Sequence, residues 1–198
     1  LGSHVYADAG SYTVTINVID DDDAVGTDAF VVTVNNAAPV VNIGPDQAVL
    51  EGQEVSLAPA TFFDPGTLDT HSATIDWGDG SDPEDATVTE SPFGPPGSTL
   101  GMAGTINASH VYADNGLYTV TLTVTDDDSA AATGSFTMEV TVDNVAPVAE
   151  AGEALVVDEG QVLEFVGSFT DAGTADSHTA TVAWGDGSVA TGEVTEEP

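Results

Sequence analysis

Two blocks of sequence occur twice in this chain, and both recur at nearly the same distance. Ser3-His4-Val5-Tyr6-Ala7-Asp8, followed by Gly10-Ser11-Tyr12-Thr13-Val14-Thr15, returns 106 residues on as Ser109-His110-Val111-Tyr112-Ala113-Asp114 and Gly116-Leu117-Tyr118-Thr119-Val120-Thr121. Phe62-Phe63-Asp64-Pro65-Gly66-Thr67-Leu68-Asp69-Thr70-His71 returns 107 residues on as Phe169-Thr170-Asp171-Ala172-Gly173-Thr174-Ala175-Asp176-Ser177-His178. Both copies then run into Trp-Gly-Asp-Gly-Ser, at 77–81 and 184–188. A period of this length is one domain with its own core, so the rest of the sequence is read in that frame. Residues 36–143 form one complete repeat, 1–35 the back part of a preceding one and 144–198 the front part of a following one. The front piece stops at the counterpart of Ser91 and the back piece begins at the counterpart of Asn107. What neither supplies is 92–106, a Gly/Pro/Ser-rich stretch that reads as the longest loop of the repeat.

Inside the repeat, alternation of period two dominates and no ten-residue stretch carries a helical pattern. Tyr118, Val120, Leu122 and Val124 alternate with Thr119, Thr121, Thr123 and Thr125, and residues 12–18 do the same, so both read as strands with one buried face. Further strands fit 40–43, 54–63, 72–77, 86–90, 106–112 and 135–142. About seven short strands per repeat, parted by Gly, Pro, Asn and Asp turns, predict an all-β chain of tandem immunoglobulin-like β-sandwiches with no significant helix. Pro39 and Pro147 hold the preceding residues extended and mark the domain entrances.

Charge decides what such an array can meet. The chain has 34 Asp plus Glu, 4 His and no Lys or Arg, a formal net charge of -34. Binding nucleic acid or an anionic membrane surface requires cationic side chains, so both partners are excluded. No Lys or Arg can pair with a carboxylate, and the acidic groups repel one another over roughly 8 Å. The counter-charge must come from bound divalent cations, from environmental salt, or from dilution of the charge over an elongated shape. With 41% hydrophobic residues and a mean hydropathy of +0.05, the chain still has apolar surface for packed cores. There is no cysteine, so neither disulfides nor thiolate metal sites exist. No apolar run approaches the roughly 18 residues of a membrane span, and a chain opening at Leu1 without a signal peptide reads as a fragment of something longer.

The Trp-Gly-Asp-Gly block reads as structural. Asp79-Gly80 suits a tight hairpin turn in which Gly takes positive φ, and Trp77 suits a core anchor. Gly10-Ser11-Tyr12 and Gly116-Leu117-Tyr118 read as turns feeding a strand whose Tyr packs at a sheet corner. His4, His71, His110 and His178 each sit at a strand edge without a second His at ligand spacing, which points to hydrogen-bonding roles. Asp20 to Asp23 and Asp126 to Asp128 end the same strand in the two copies, and Asp64 and Asp69, repeated as Asp171 and Asp176, precede the central hairpin strand.

Trp77-Gly78-Asp79-Gly80-Ser81, then His110 and Tyr112, then Gly116 through Asp126, taken in this order, resemble PKD domains (polycystic kidney disease type). This immunoglobulin-like family is common in secreted bacterial proteins. The resemblance covers essentially the whole chain, with two departures: the family usually places two more residues between the Trp and Gly-Asp-Gly, and the segment 91–105 lengthens the repeat. Several PKD domains hold calcium between the entrance linker, the acidic loop before the hairpin and the Asp after the long strand. The resemblance therefore implies ligands at Asn36, Asp64, Asp69 and Asp126 in the central domain and at Asn144, Asp171 and Asp176 in the next. Calcium takes six to eight oxygen ligands, and three carboxylates with no cationic neighbour must bind a cation or raise their pKa values. Acidic clusters at strand ends also arise as turn formers and solvated surface, and both readings stand at this point.

No nucleophile–base pair, phosphate loop or HExxH occurs, and spacing selects no glycosidase pair among 34 carboxylates, so the segment reads as non-catalytic. Asn107-Ala108-Ser109 matches a glycosylation sequon. The expected function is a calcium-stiffened rod, stalk or filament outside a bacterial cell, resistant to trypsin-type cleavage for want of Lys and Arg. The out-of-phase ends allow residues 1–35 of one copy to complete residues 144–198 of its neighbour head to tail, with Asp20 joining Asp171 and Asp176 of that copy; equally, the segment is a window on one long tandem chain. The competing reading is an adhesion or carbohydrate- or protein-binding module of a large secreted protein or hydrolase. That role needs exposed aromatics, and with 7% aromatics, mostly at core-phased positions, few are expected.

Overall fold

The computed structural model describes residues 2–57, 60–128 and 133–196, and every regular element among them is a strand. Residues before Pro39 form a separate hairpin of β1 (Gly10–Ile19) and β2 (Val25–Val34). The complete repeat contributes β3 (Val40–Asn42), β4 (Gln47–Leu50), β5 (Glu54–Ser56), β6 (Ala60–Asp64), β7 (His71–Asp76), β8 (Glu84–Pro92), β9 (Met102–Asn107), β10 (Ser109–Val111), β11 (Gly116–Asp126) and β12 (Thr133–Asp143). The final piece has β13 (Val148–Glu150) against β14 (Ser168–Thr170) and β15 (Ala180–Ala183) against β16 (Val189–Gly192).

In the central repeat the hydrogen-bonded order is β3-β6-β9-β8-β7-β11-β12-β4. β8 belongs to both layers of the sandwich: residues 84–86 pair with β7 and residues 87–92 with β9. Between the layers lie Val41, Phe62 and Ile106 from one side and Ile75, Trp77, Val120, Leu122, Val124 and Val140 from the other, all buried. Period two shows directly: on β7, Ala73 and Ile75 are buried while Ser72, Thr74 and Asp76 face out. Burying these apolar faces is the main stabilising term of the domain.

The three recurring motifs meet at one corner. Gly78 and Gly80 take φ of 77° and 90°, and a Cβ on Gly78 would lie 2.5 Å from the Thr119 carbonyl, so only glycine lets the turn approach β11. Asp79 Oδ1 accepts from the Ser81 amide and hydroxyl at 3.0 and 2.6 Å, and its Oδ2 bonds His110 Nε2 at 2.8 Å. His110 stacks on Trp77, with centroids 5.0 Å apart, and Tyr112 donates its hydroxyl to the Trp77 carbonyl at 2.9 Å. Tyr118 donates to Asp114 O at 2.9 Å and Tyr12 to Asp8 O at 3.0 Å, the tyrosine-corner bond expected at the foot of this strand.

Two local expectations need correction, and one strand goes unsignalled by the sequence. The stretch 92–106 is not all loop: Met102–Asn107 is strand β9, leaving 93–101 as the connection. Gly104 made this segment read as a turn, yet it is there because the Phe62 ring lies across it, 2.1 Å from where a Cβ would stand. The turn after β7 spans residues 77–83, longer than a tight hairpin, and its Asp79 bonds His110. β4, which has no clear alternation, forms by parallel pairing with β12.

The outer pieces adopt the same local pairings but leave their core faces open. Trp184 is 42% exposed where Trp77 is 1%, and Ile16 and Val18 are 51% and 66% exposed where their counterparts Leu122 and Val124 are 0%. Truncating a buried side chain is costly and truncating an exposed one is not. Leu122→Ala is thus expected to destabilise by about 2–5 kcal/mol and Ile16→Ala by less than about 1 kcal/mol, read from the urea midpoints of the monomeric chain. Equal effects of the two substitutions would contradict the placement of the core.

Candidate metal centre

Asp64 ends β6, Asp126 ends β11, and the loop between β6 and β7 carries Asp69. Local turn chemistry fixes two of them: Asp64 Oδ1 accepts the Gly66 amide at 2.7 Å and Asp126 Oδ1 the Asp128 amide at 3.1 Å. The loop is fastened further by Thr67, whose hydroxyl oxygen accepts the Gly101 amide at 2.8 Å, and by Asp127, whose Oδ1 accepts the Thr70 amide at 2.9 Å. The result brings Asp64, Asp69 and Asp126 together, each with a ligand oxygen within 4.8 Å of the others. All three are buried, at 0%, 2% and 6% exposure.

The site is short of partners. Asp64 Oδ2 and both oxygens of Asp69 are buried without a hydrogen bond, an arrangement that costs free energy unless a proton or a cation joins it. Burial, reinforced by the Asp64, Asp128, Asp8 and Asp126 carboxylates, pushes Asp69 up to about 7. These oxygens fit a hard divalent cation, and calcium suits an all-oxygen set on loop and strand ends. Of the residues expected from sequence, Asp64, Asp69 and Asp126 therefore converge. Asn36 also arrives, but its side-chain amide donates to Asp126 Oδ2 at 2.8 Å and its Oδ1 accepts the Ala37 amide, so it orients Asp126.

The second copy is similar in outline. Asp171, Asp176 and His178 gather with ligand atoms within 4.8 Å of one another. His178 Nε2 bonds Asp171 Oδ2 at 2.7 Å, which holds that carboxyl below its ordinary range and raises the imidazole. Asp176 is raised by burial and by Glu51, Asp114 and Asp171. Asp20 joins no such group among the described residues; its Oδ1 instead accepts the Asp22 and Ala24 amides of its own turn, at 3.1 and 2.9 Å.

The histidines were expected to be structural, and the hydrogen bonds at three of them are present. Beyond that, sequence reasoning missed that His71 faces the acidic cluster, with Nε2 3.4 Å from Asp64 Oδ2 while Nδ1 bonds Glu90 at 2.8 Å. His178 repeats this with Glu196, at 3.1 Å. The signal was available: the same His follows the same Asp by seven residues in both copies.

Folded Asp69 holds its proton up to about pH 7, whereas in the unfolded chain it is lost near 3.8. Without calcium, this stabilisation is complete below pH 3.8 and disappears as pH rises to about 7. Asp69→Asn mimics the protonated acid, so it is expected to raise the thermal midpoint of the chelated chain at pH 8 and change it little at pH 4. A lower midpoint at pH 8 by circular dichroism would refute the buried, unpaired state of this carboxylate.

A crystal structure of human CDH23 EC21-23 is similar at 18% identity and a TM-score of 0.35, over 82% of this chain. The chain spans 54% of that structure's length. No curated protein matches it. A family model described as PKD domain matches residues 36–142 and again residues 144–197. Those two segments take in most of the sequence and meet at the domain entrance, so the chain belongs to the PKD domain family.

Proposed function

We propose that this chain is a non-catalytic structural segment of an extracellular array, a rod, stalk or filament of bacterial type whose domains are stiffened by calcium. The observation that carries the reading is the trio of buried carboxylates, Asp64, Asp69 and Asp126, the first two with unpartnered oxygens, in a chain that has no Lys or Arg. Asp64 and Asp69 would supply the free oxygens. Asn36, in the entrance linker, holds Asp126, so an ion bound there joins linker and domain body. Asp171 and Asp176, with His178, support the same role in the next domain.

Calcium at one hundred times its Kd is expected to stabilise a domain by about 2.7 kcal/mol, which raises its thermal midpoint by roughly 10 °C. Chelator should reverse the shift, and small-angle scattering should show an extended particle. A midpoint indifferent to calcium and chelator would defeat this proposal.

The open core faces support completion of each outer piece by another repeat. The face of β1 bearing Ile16 and Val18 corresponds to the core face of β11, the strand that pairs alongside β7, and β15, the counterpart of β7, has only β16 beside it among the described residues, with Trp184 exposed. A neighbouring copy can supply that hairpin, placing its Asp20 beside Asp171 and Asp176. The counterpart of β9 is left out, so an exchanged sandwich is one strand short where a continuous tandem chain is not. Exchange predicts weak, concentration-dependent head-to-tail association by light scattering that vanishes when residues 1–35 are removed. A monomer at every concentration would exclude it.

A second reading, adhesion to an extracellular glycan or protein, draws on one observation. Phe136 is 50% exposed and its repeat counterpart Phe30 is 52% exposed, so more aromatic surface is presented than the sequence leads one to expect. Retention on insoluble glycans, lost in Phe136→Ala, would favour it over a plain spacer.

A further inference from the structure

The two domain junctions are built alike. Leu68 donates its amide to Ala7 O at 3.2 Å across the first, and its repeat counterpart Ala175 donates to Ala113 O at 3.0 Å across the second. Beside each bond a carboxylate cluster spans the boundary: Asp8 with Asp69 and Asp128 at the first, Glu51 and Asp114 with Asp176 at the second, with ligand oxygens within 4.8 Å of one another. Asp8 and Asp114 are one position of the repeat, and Asp69 and Asp176 are another. The clusters share those two positions and differ in the third. Glu51 comes from the domain before the junction and Asp128 from the domain after it. The repeat period puts the counterpart of Glu51 at the first junction, and of Asp128 at the second, outside residues 1–198. The two views together describe a junction of four carboxylates, two from each domain.

Burial without a partner separates this arrangement from an ordinary acidic surface. Glu51 is 1% exposed; its Oε1 accepts the Val145 amide of the linker, and its Oε2 is buried with no hydrogen bond. At the other junction both oxygens of Asp69 and Asp128 Oδ2 are buried and unpartnered. A carboxylate oxygen closed off from water and facing two more carboxylates calls for a positive charge, and no Lys or Arg can supply it.

We propose that each junction is a second divalent-cation site, separate from the set at Asp64 and Asp126, in which Glu51 and Asp114 of one domain and Asp176 of the next bind calcium. Asp8, Asp69 and Asp128 do the same at the preceding junction. Asp69 and Asp176 each belong to both kinds of cluster and would link the two sites. The inference deepens the reading of a stiffened array, but its own residues, Glu51 and Asp114, take no part in the entrance site. The ion would tie domain to domain, where the entrance site ties linker to domain body.

The test is calorimetric titration of chelator-treated 198-residue chain with calcium chloride, comparing wild type, Asp114→Asn, Glu51→Gln/Asp114→Asn and Asp64→Asn/Asp126→Asn. Asp114 is exposed, so Asp114→Asn keeps the fold, and Gln at position 51 keeps an oxygen for the Val145 amide. The junction variants are expected to lose one calcium site, that of the junction after the central domain, and to broaden the interdomain distances seen by scattering in calcium, while the junction at Asp8, Asp69 and Asp128 stays loaded and the central domain keeps its calcium-dependent thermal shift. Unchanged stoichiometry and affinity in both junction variants overturns the proposal, even if Asp64→Asn/Asp126→Asn abolishes the thermal shift and so upholds the entrance site. Loss of sites only in the junction variants upholds the junction and overturns the entrance site. A wild-type chain that binds no calcium overturns both.

Discussion

A carboxylate taken out of water needs a positive partner, and this chain has no Lys or Arg to offer. The usual solution, an Arg or Lys folded over the acid, is closed. Four histidines remain, and three of them are spent against acids: His71 beside Asp64 and Glu90, His110 on Asp79, His178 on Asp171. Even so, Asp64, Asp69, Glu51 and Asp128 keep buried oxygens that accept no hydrogen bond. The strand ends are therefore places where the fold is incomplete by its own chemistry. Local turn bonds aim the carboxylates, but they do not neutralise them.

Away from those ends the protein is an ordinary sandwich, stabilised by apolar burial. Trp77, Tyr112, Ile75, Leu122 and Val124 are all closed off, and the polar bonds among Trp77, His110, Tyr112 and Asp79 settle which turn lies against which strand. Core and site share β11: its middle fills the core with Val120, Leu122 and Val124, and its last residue is Asp126. A shift of this strand by one residue would turn the apolar face outward and withdraw the acid from the cluster together.

Much of this was legible from the residues. Alternation at 118–125 located β11, the repeat located its counterpart β1, and Gly-Asp-Gly located the turn. What escaped had no local signature. β9 was hidden because Gly104 is read as a breaker until Phe62 is known to lie over it. β4 depends on a parallel neighbour ninety residues away. Asp64, Asp69 and Asp126 were named through the family pattern, and the structure brings them together. Glu51 and Asp114 were passed over because nothing in a linear reading says that a turn after β4 and a loop before β11 face the next domain. Asn36 illustrates the opposite limit: its position was foreseen, but which of its two polar atoms meets Asp126 is a matter of hydrogen-bond partners.

The parallel pairing of β4 with β12, over Gln47–Leu50 and Val140–Asp143, has a mechanical consequence. The chain enters the domain at Asn36 and leaves it past Asp143, so tension along an array would draw these two strands in opposite directions along their length. The hydrogen bonds between them would then bear the load side by side, in shear, and would have to fail together. An unzipping geometry would break them one at a time. A module placed in a stalk under flow would resist pulling chiefly through this short ladder.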